Sequence, residues 1–95
     1  MRQPNILMIM ADQLSALALA TYGHGVVRTP HLDALAARGV VFENAYCNFP
    51  LCAPSRASLM SGRLASRIGV YDNAAEFPAS VPTMAHGLRA LGYAT

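Results

Sequence analysis

The chain opens on a continuous apolar run, Ile6 to Ala11, with no polar break until Asp12 and Gln13. A run of this length without alternation predicts a strand covered on both faces, as in a parallel sheet. Val40 to Tyr46 reads as a second strand, and Tyr93 to Thr95 as the first residues of another. Between these runs the period lengthens. Leu32, Leu35 and Ala36 recur at helical spacing behind Thr29 as N-cap and Pro30 as first helical residue, with Gly39 as the stop. Met84, Leu88 and Leu91 line a further helix that Gly92 ends. From about Pro54 the residues favour a helix that stops at Gly62. Residues 14–25 read as a loop with room for a helical turn, and residues 63–80 as a loop with little periodicity. Strands alternating with helices place the chain in the α/β class, with a mostly parallel sheet and flanking helices.

Composition sharpens this picture. The 95 residues are 54% hydrophobic and 13% charged. That is too apolar for disorder and low in surface charge for a small independent domain. The expectation is a piece of a larger interior, with residues 1–95 as the truncated N-terminal portion of one catalytic domain and no separate second domain. The net charge is +2, and all seven basic residues are scattered arginines, so no basic stripe invites nucleic acid. Two cysteines, Cys47 and Cys52, make no disulfide framework and fit a reducing compartment. The first apolar run stops at Asp12 without a cleavage site, and no segment is long enough for a membrane span. A cytoplasmic location with no membrane partner is expected.

The chemistry gathers around PLCAPSR, Pro50 to Arg56. Cys52 is expected just before a helix start, where the first-turn N–H groups, taken as those of Ser55 and Arg56, lack helical partners. The helix dipole is positive there and favours an anion. Arg56 adds a fixed charge and a fork of donors suited to a tetrahedral oxyanion. An anion pocket beside a reactive position, with Asp12 at a strand end, suggests hydrolysis of a charged ester. The competing reading is a small packed cysteine, since free Cys is among the most buried residue types. On these grounds alone the two readings stand level.

The pattern around Cys52 tips that balance. Cys52, Pro54, Ser55 and Arg56, followed by Leu59, Met60, Ser61 and Gly62, resemble the signature of the type I sulfatase family. Ser61 departs from the usual threonine. MADQ, TPHLDALAARGVVFENAYCN, PLCAPSR and VYDNAAEFPASVPT narrow the likeness to the choline sulfatase branch, which shares its Asp-Gln pair with phosphonate monoester hydrolases. The likeness extends over essentially the whole chain.

The resemblance implies an alkaline-phosphatase-like sulfatase fold and hydrolysis of choline-O-sulfate to choline and sulfate. It also implies a partner, the formylglycine-generating enzyme, which oxidises the cysteine at position 52 to formylglycine. One hydroxyl of the hydrated aldehyde attacks sulfur, and the other, deprotonated, expels sulfate, splitting the reaction into two easier steps. In the family, the arginine matching Arg56 holds that group and neutralises charge. Asp12, Gln13 and residue 52 match ligands of a divalent metal, Ca²⁺ by its preference for oxygen, with Mn²⁺ or Mg²⁺ as alternatives. Asn73 matches a residue that contacts the substrate's anionic oxygens, although an Asn in a Tyr-Asp-Asn stretch is also an ordinary turn residue. A small-molecule sulfate ester is the expected substrate, and the full-length enzyme is expected to be a homo-oligomer. A phosphonate or phosphate ester hydrolase and a non-catalytic relative remain as alternatives.

Overall fold

The computed structural model describes residues 3–95. Residues 1 and 2, part of the domain expected over 1–95, lie outside the described residues. The chain divides into two compact units, Met1–Asn44 and Ala45–Thr95.

The first unit holds two 3₁₀ turns, Ala16–Ala18 and Ala20–Tyr22, and one helix, α1, Pro30–Ala36. Ser15 starts the first turn by accepting the Leu17 N–H on its hydroxyl at 3.2 Å. Gly23, with φ of 95°, closes the second in a conformation that costs a side-chain-bearing residue free energy. His24 then folds the next residues over its ring, with Nδ1 accepting from Val26 N–H at 3.2 Å and Val27 N–H at 3.0 Å. The Tyr22 hydroxyl donates to the Phe42 carbonyl at 2.8 Å and ties the second turn to the run after α1. Thr29 stands at the N-cap position as expected, but its hydroxyl donates to Asp33 Oδ1 at 3.2 Å instead of capping. Gly39 lies close under the end of α1, where a Cβ would come within 3.1 Å of the Leu35 carbonyl.

The expected sheet is not formed among the described residues. Residues 5–11, 40–46 and 93–95 are not strands. A strand needs a neighbour to pair its N–H and C=O groups, and the apolar runs have no such ladder here. Leu7 at 83% and Val40 at 79% exposure bury little of themselves in this unit.

The second unit is built on α2, Cys52–Ser61, with α3, Ala65–Ile68, and α4, Met84–Ala90. The buried face of α2 consists of Pro54, Ala57 and Ser58, residues small enough to let its neighbours approach closely. Ala57 packs with Ile68, Val70 and Val81 in one apolar cluster, and Val70 is only 1% exposed. Gly62 ends α2 as expected, in the left-handed region at φ 67°, with its N–H on the Ser58 carbonyl at 2.8 Å. The Ser61 hydroxyl donates to the Ala57 carbonyl at 2.7 Å and accepts the Arg63 N–H at 3.2 Å. Both bonds need only a hydroxyl, which serine supplies.

In the second unit, two elements differ from expectation. Helix α3 falls in the stretch expected to be loop, since four residues closed by Gly69 are too few to show a period. The last three residues form part of a helix end, not a strand. The Tyr93 N–H bonds back to the Leu88 carbonyl at 3.0 Å across Gly92, and Arg89 donates to the Thr95 hydroxyl at 2.7 Å. At the other end of α4, Thr83 and His86 form a reciprocal capping box, with His86 Nδ1 accepting the Thr83 N–H at 3.1 Å. No helix among the described residues is long and apolar enough to cross a membrane.

Candidate active site

The start of α2 lies two residues earlier than the prolines suggest. Leu51 is the N-cap, extended at φ −118° and ψ 152°, and Cys52 is the first helical residue. Pro54 sits within the first turn, where its missing N–H costs nothing. The Ser55 N–H is already bonded to the Leu51 carbonyl at 3.0 Å, so the expected role of Ser55 and Arg56 amides as the open anion donors is corrected. The first-turn donors are those of Cys52 and Ala53, because Pro54 has none.

Leucine cannot cap a helix with its side chain, and Leu51 makes no such bond. The cap comes from twenty residues further on. Asn73 Oδ1 accepts the Ala53 N–H at 2.9 Å. This bond also fixes which way the amide points, since only its oxygen can accept. The Nδ2 end is therefore the one left to donate. Asn73 thus lies at the helix end that carries Cys52, with Arg56 one turn on.

Cys52 is exposed in this chain. Arg56 follows four residues later, one turn on along the same face of α2. Cys47 is exposed as well. It borders a groove with Asn48 and Ser58 on the flank of α2. An exposed sulfur and a guanidinium on one helical face, at the positive end of a helix dipole, can hold and act on an anionic group.

Asp12 and Gln13 belong to the first unit and form a turn directly after the first apolar run. Gln13 has φ of 51° and is the only non-glycine residue in the left-handed region among the described residues. Glutamine has no local hydrogen-bonding reason to adopt that region, unlike Asn or Asp, so the backbone there is strained. A carboxylate and an amide oxygen side by side are hard donors and fit a hard divalent cation. Together they supply only part of its shell, and the described residues contain no cluster of three or more His, Cys, Asp or Glu able to hold a metal.

The reading of the residues alone missed two things. The Asn73–Ala53 bond spans too many residues for any local pattern. Asp72 carried a visible signal in Tyr-Asp-Asn, a turn-forming triplet whose acid accepts nearby N–H groups. Its Oδ1 does so for Ala74 and Ala75, each at 2.9 Å.

Comparison with known proteins adds the remaining findings. A family model described as Sulfatase matches residues 4–95. A choline-sulfatase of Rhizobium meliloti (strain 1021) is 52% identical over 93 residues, covering 98% of this chain and 18% of the relative. Arylsulfatase A of Bos taurus is 45% identical over 98 residues, covering 97% of this chain and 19% of the relative. Steryl-sulfatase of Mus musculus is 43% identical over 105 residues, covering 99% of this chain and 17% of the relative. The chain spans less than a fifth of the length of these relatives.

Proposed function

The chain belongs to the sulfatase family, and from that premise we propose that it forms the N-terminal part of a catalytic domain of alkaline-phosphatase-like fold that hydrolyses sulfuric esters. The observation that carries this reading is the start of α2. Cys52 is exposed at its first position, Arg56 follows one turn later, and Asn73 caps the residue between them. Choline-O-sulfate is the proposed substrate, supported by the 52% identity to a choline-sulfatase across almost the whole chain.

Each residue has a chemical role in this reading. Residue 52, converted to formylglycine by its maturation enzyme, supplies the covalent step. Arg56 binds the anionic oxygens and balances charge that builds during attack on sulfur. The Nδ2 of Asn73 donates to the same anion, its orientation set by the bond from Ala53. Asp12 and Gln13 would hold a divalent cation, Ca²⁺ by donor hardness, which lowers the proton affinity of the nucleophile and neutralises sulfate charge when bound. The proposed setting is cytoplasmic and the proposed assembly a homo-oligomer.

A second reading rests on the Asp12-Gln13 pair, which suits a phosphonate or phosphate ester hydrolase equally well because the anion site is shared. Turnover by the full-length enzyme separates the two. Choline sulfate is expected to give the higher kcat/KM, against an aryl sulfate and a phosphonate monoester. A higher kcat/KM for the phosphonate would overturn the sulfatase assignment, and no turnover of any ester would favour a non-catalytic role.

A further inference from the structure

We propose that Asp72 is a positioning residue that acts on the reactive end of α2 through Asn73, a role resting on the function proposed above. The segment Val70–Ala75 is held at every step. Val70 is buried in the apolar cluster, and the Tyr71 hydroxyl donates to the Ser66 carbonyl at 3.2 Å. Asp72 Oδ1 then accepts the Ala74 and Ala75 N–H groups, both at 2.9 Å. This double acceptance closes the turn that carries Asn73, and Asn73 Oδ1 takes the Ala53 N–H at 2.9 Å. Ala53 adjoins Cys52 in the first turn of α2.

The acceptor chemistry explains the residue type. One oxygen taking two backbone N–H groups suits a carboxylate, which accepts without a competing donor of its own. Without it, the Ala74 N–H turns to solvent, the Ala75 N–H keeps only its long 3.4 Å bond to the Asp72 carbonyl, and residues 72–75 gain backbone freedom. The Asn73 amide then loses its fixed pose, and both the cap on α2 and the Nδ2 donor lose their place. Asp72 therefore acts at a distance from the reacting atoms and touches none of them.

The test uses the full-length enzyme with four variants and two readouts. Asp72→Ala is expected to lower kcat about tenfold to a hundredfold, the range for misplacing a catalytic constellation. It is also expected to speed hydrogen–deuterium exchange at the Ala53 amide, read by mass spectrometry. Asp72→Asn keeps an oxygen acceptor and is expected to restore both readouts. Adding Asp72→Ala to Asn73→Ala is expected to cost little beyond Asn73→Ala alone, because the two act as one unit. If Asp72→Ala does not fold, Asp72→Ser replaces it, with a hydroxyl able to accept one N–H. Unchanged kcat and exchange in Asp72→Ala or Asp72→Ser would overturn the proposal, as would additive losses in the double variant or no rescue by asparagine. If the wild type hydrolyses no sulfate ester, the proposed function fails while the exchange measurement at Ala53 still decides the coupling.

Discussion

Gln13 joins a structural cost to a chemical role, and replacing it with glycine separates the two. Its φ of 51° places a side-chain-bearing residue in the left-handed region. That conformation costs about 1–2 kcal/mol for an L-residue other than glycine. Gln13→Gly removes this cost but adds about 0.5–1 kcal/mol of unfolded-chain entropy. The balance is a gain of between zero and about 1.5 kcal/mol, without counting side-chain contacts. Gln13→Asn should recover part of the gain without the entropic loss, because asparagine tolerates this region. Urea unfolding of the full-length enzyme measures the stability change as a shift in midpoint at constant slope. Sulfate ester hydrolysis at graded Ca²⁺ measures the chemical change. Gln13→Gly should be as stable as the wild type or more so, yet require more Ca²⁺ for half-maximal rate. A destabilisation of more than about 1 kcal/mol would refute the strain argument, since glycine removes any backbone penalty at this φ. An unchanged Ca²⁺ requirement would remove Gln13 from the metal site.

Three further outcomes follow from the same geometry. Arg56→Lys keeps the charge but loses the fork, and kcat/KM should fall about a hundredfold, as for loss of one oxyanion donor; an unchanged kcat/KM would remove Arg56 from the anion site. Gly62→Ala should destabilise by about 1 kcal/mol through backbone strain alone, because nothing lies within 4 Å of the new Cβ; Gly62→Asn should cost less by the same urea measurement. Chelation should abolish hydrolysis, added Ca²⁺ should restore it in the wild type, and Asp12→Ala should need more Ca²⁺; a chelated enzyme at full rate would exclude the metal role.

The helices were the legible part of the fold, because their signals are local. Pro30, Gly62 and Gly92 mark ends that need only a few neighbouring residues. Pro54 misled by two residues, since proline is tolerated across a first turn and Leu51 offers no capping side chain to betray the true start. Helix α3, four residues long, is barely more than one turn and cannot display a repeat. The apolar runs carry strand composition, but a strand is a property of a pair, and no pairing partner is present among the described residues.

The site divides along the same line. Cys52 and Arg56 are legible together because four residues on a helix is a local relation. Asn73 is legible as a turn residue from its neighbours, whereas its bond to Ala53 depends on the packing of Val70 and Ile68 against Ala57. Asp12 and Gln13 show donor chemistry plainly, and the strain at Gln13 is a backbone fact that residue types do not reveal.

The central claim is that residue 52 of the active enzyme is not a thiol. Trypsin should release Gly39–Arg56, which carries both Cys47 and Cys52. After alkylation of free thiols, tandem mass spectrometry reads each position separately. Cys47 should be alkylated, and residue 52 should be unalkylated and lighter than cysteine by the mass of H₂S less one oxygen. A fully active enzyme with residue 52 recovered as alkylated cysteine would contradict the account.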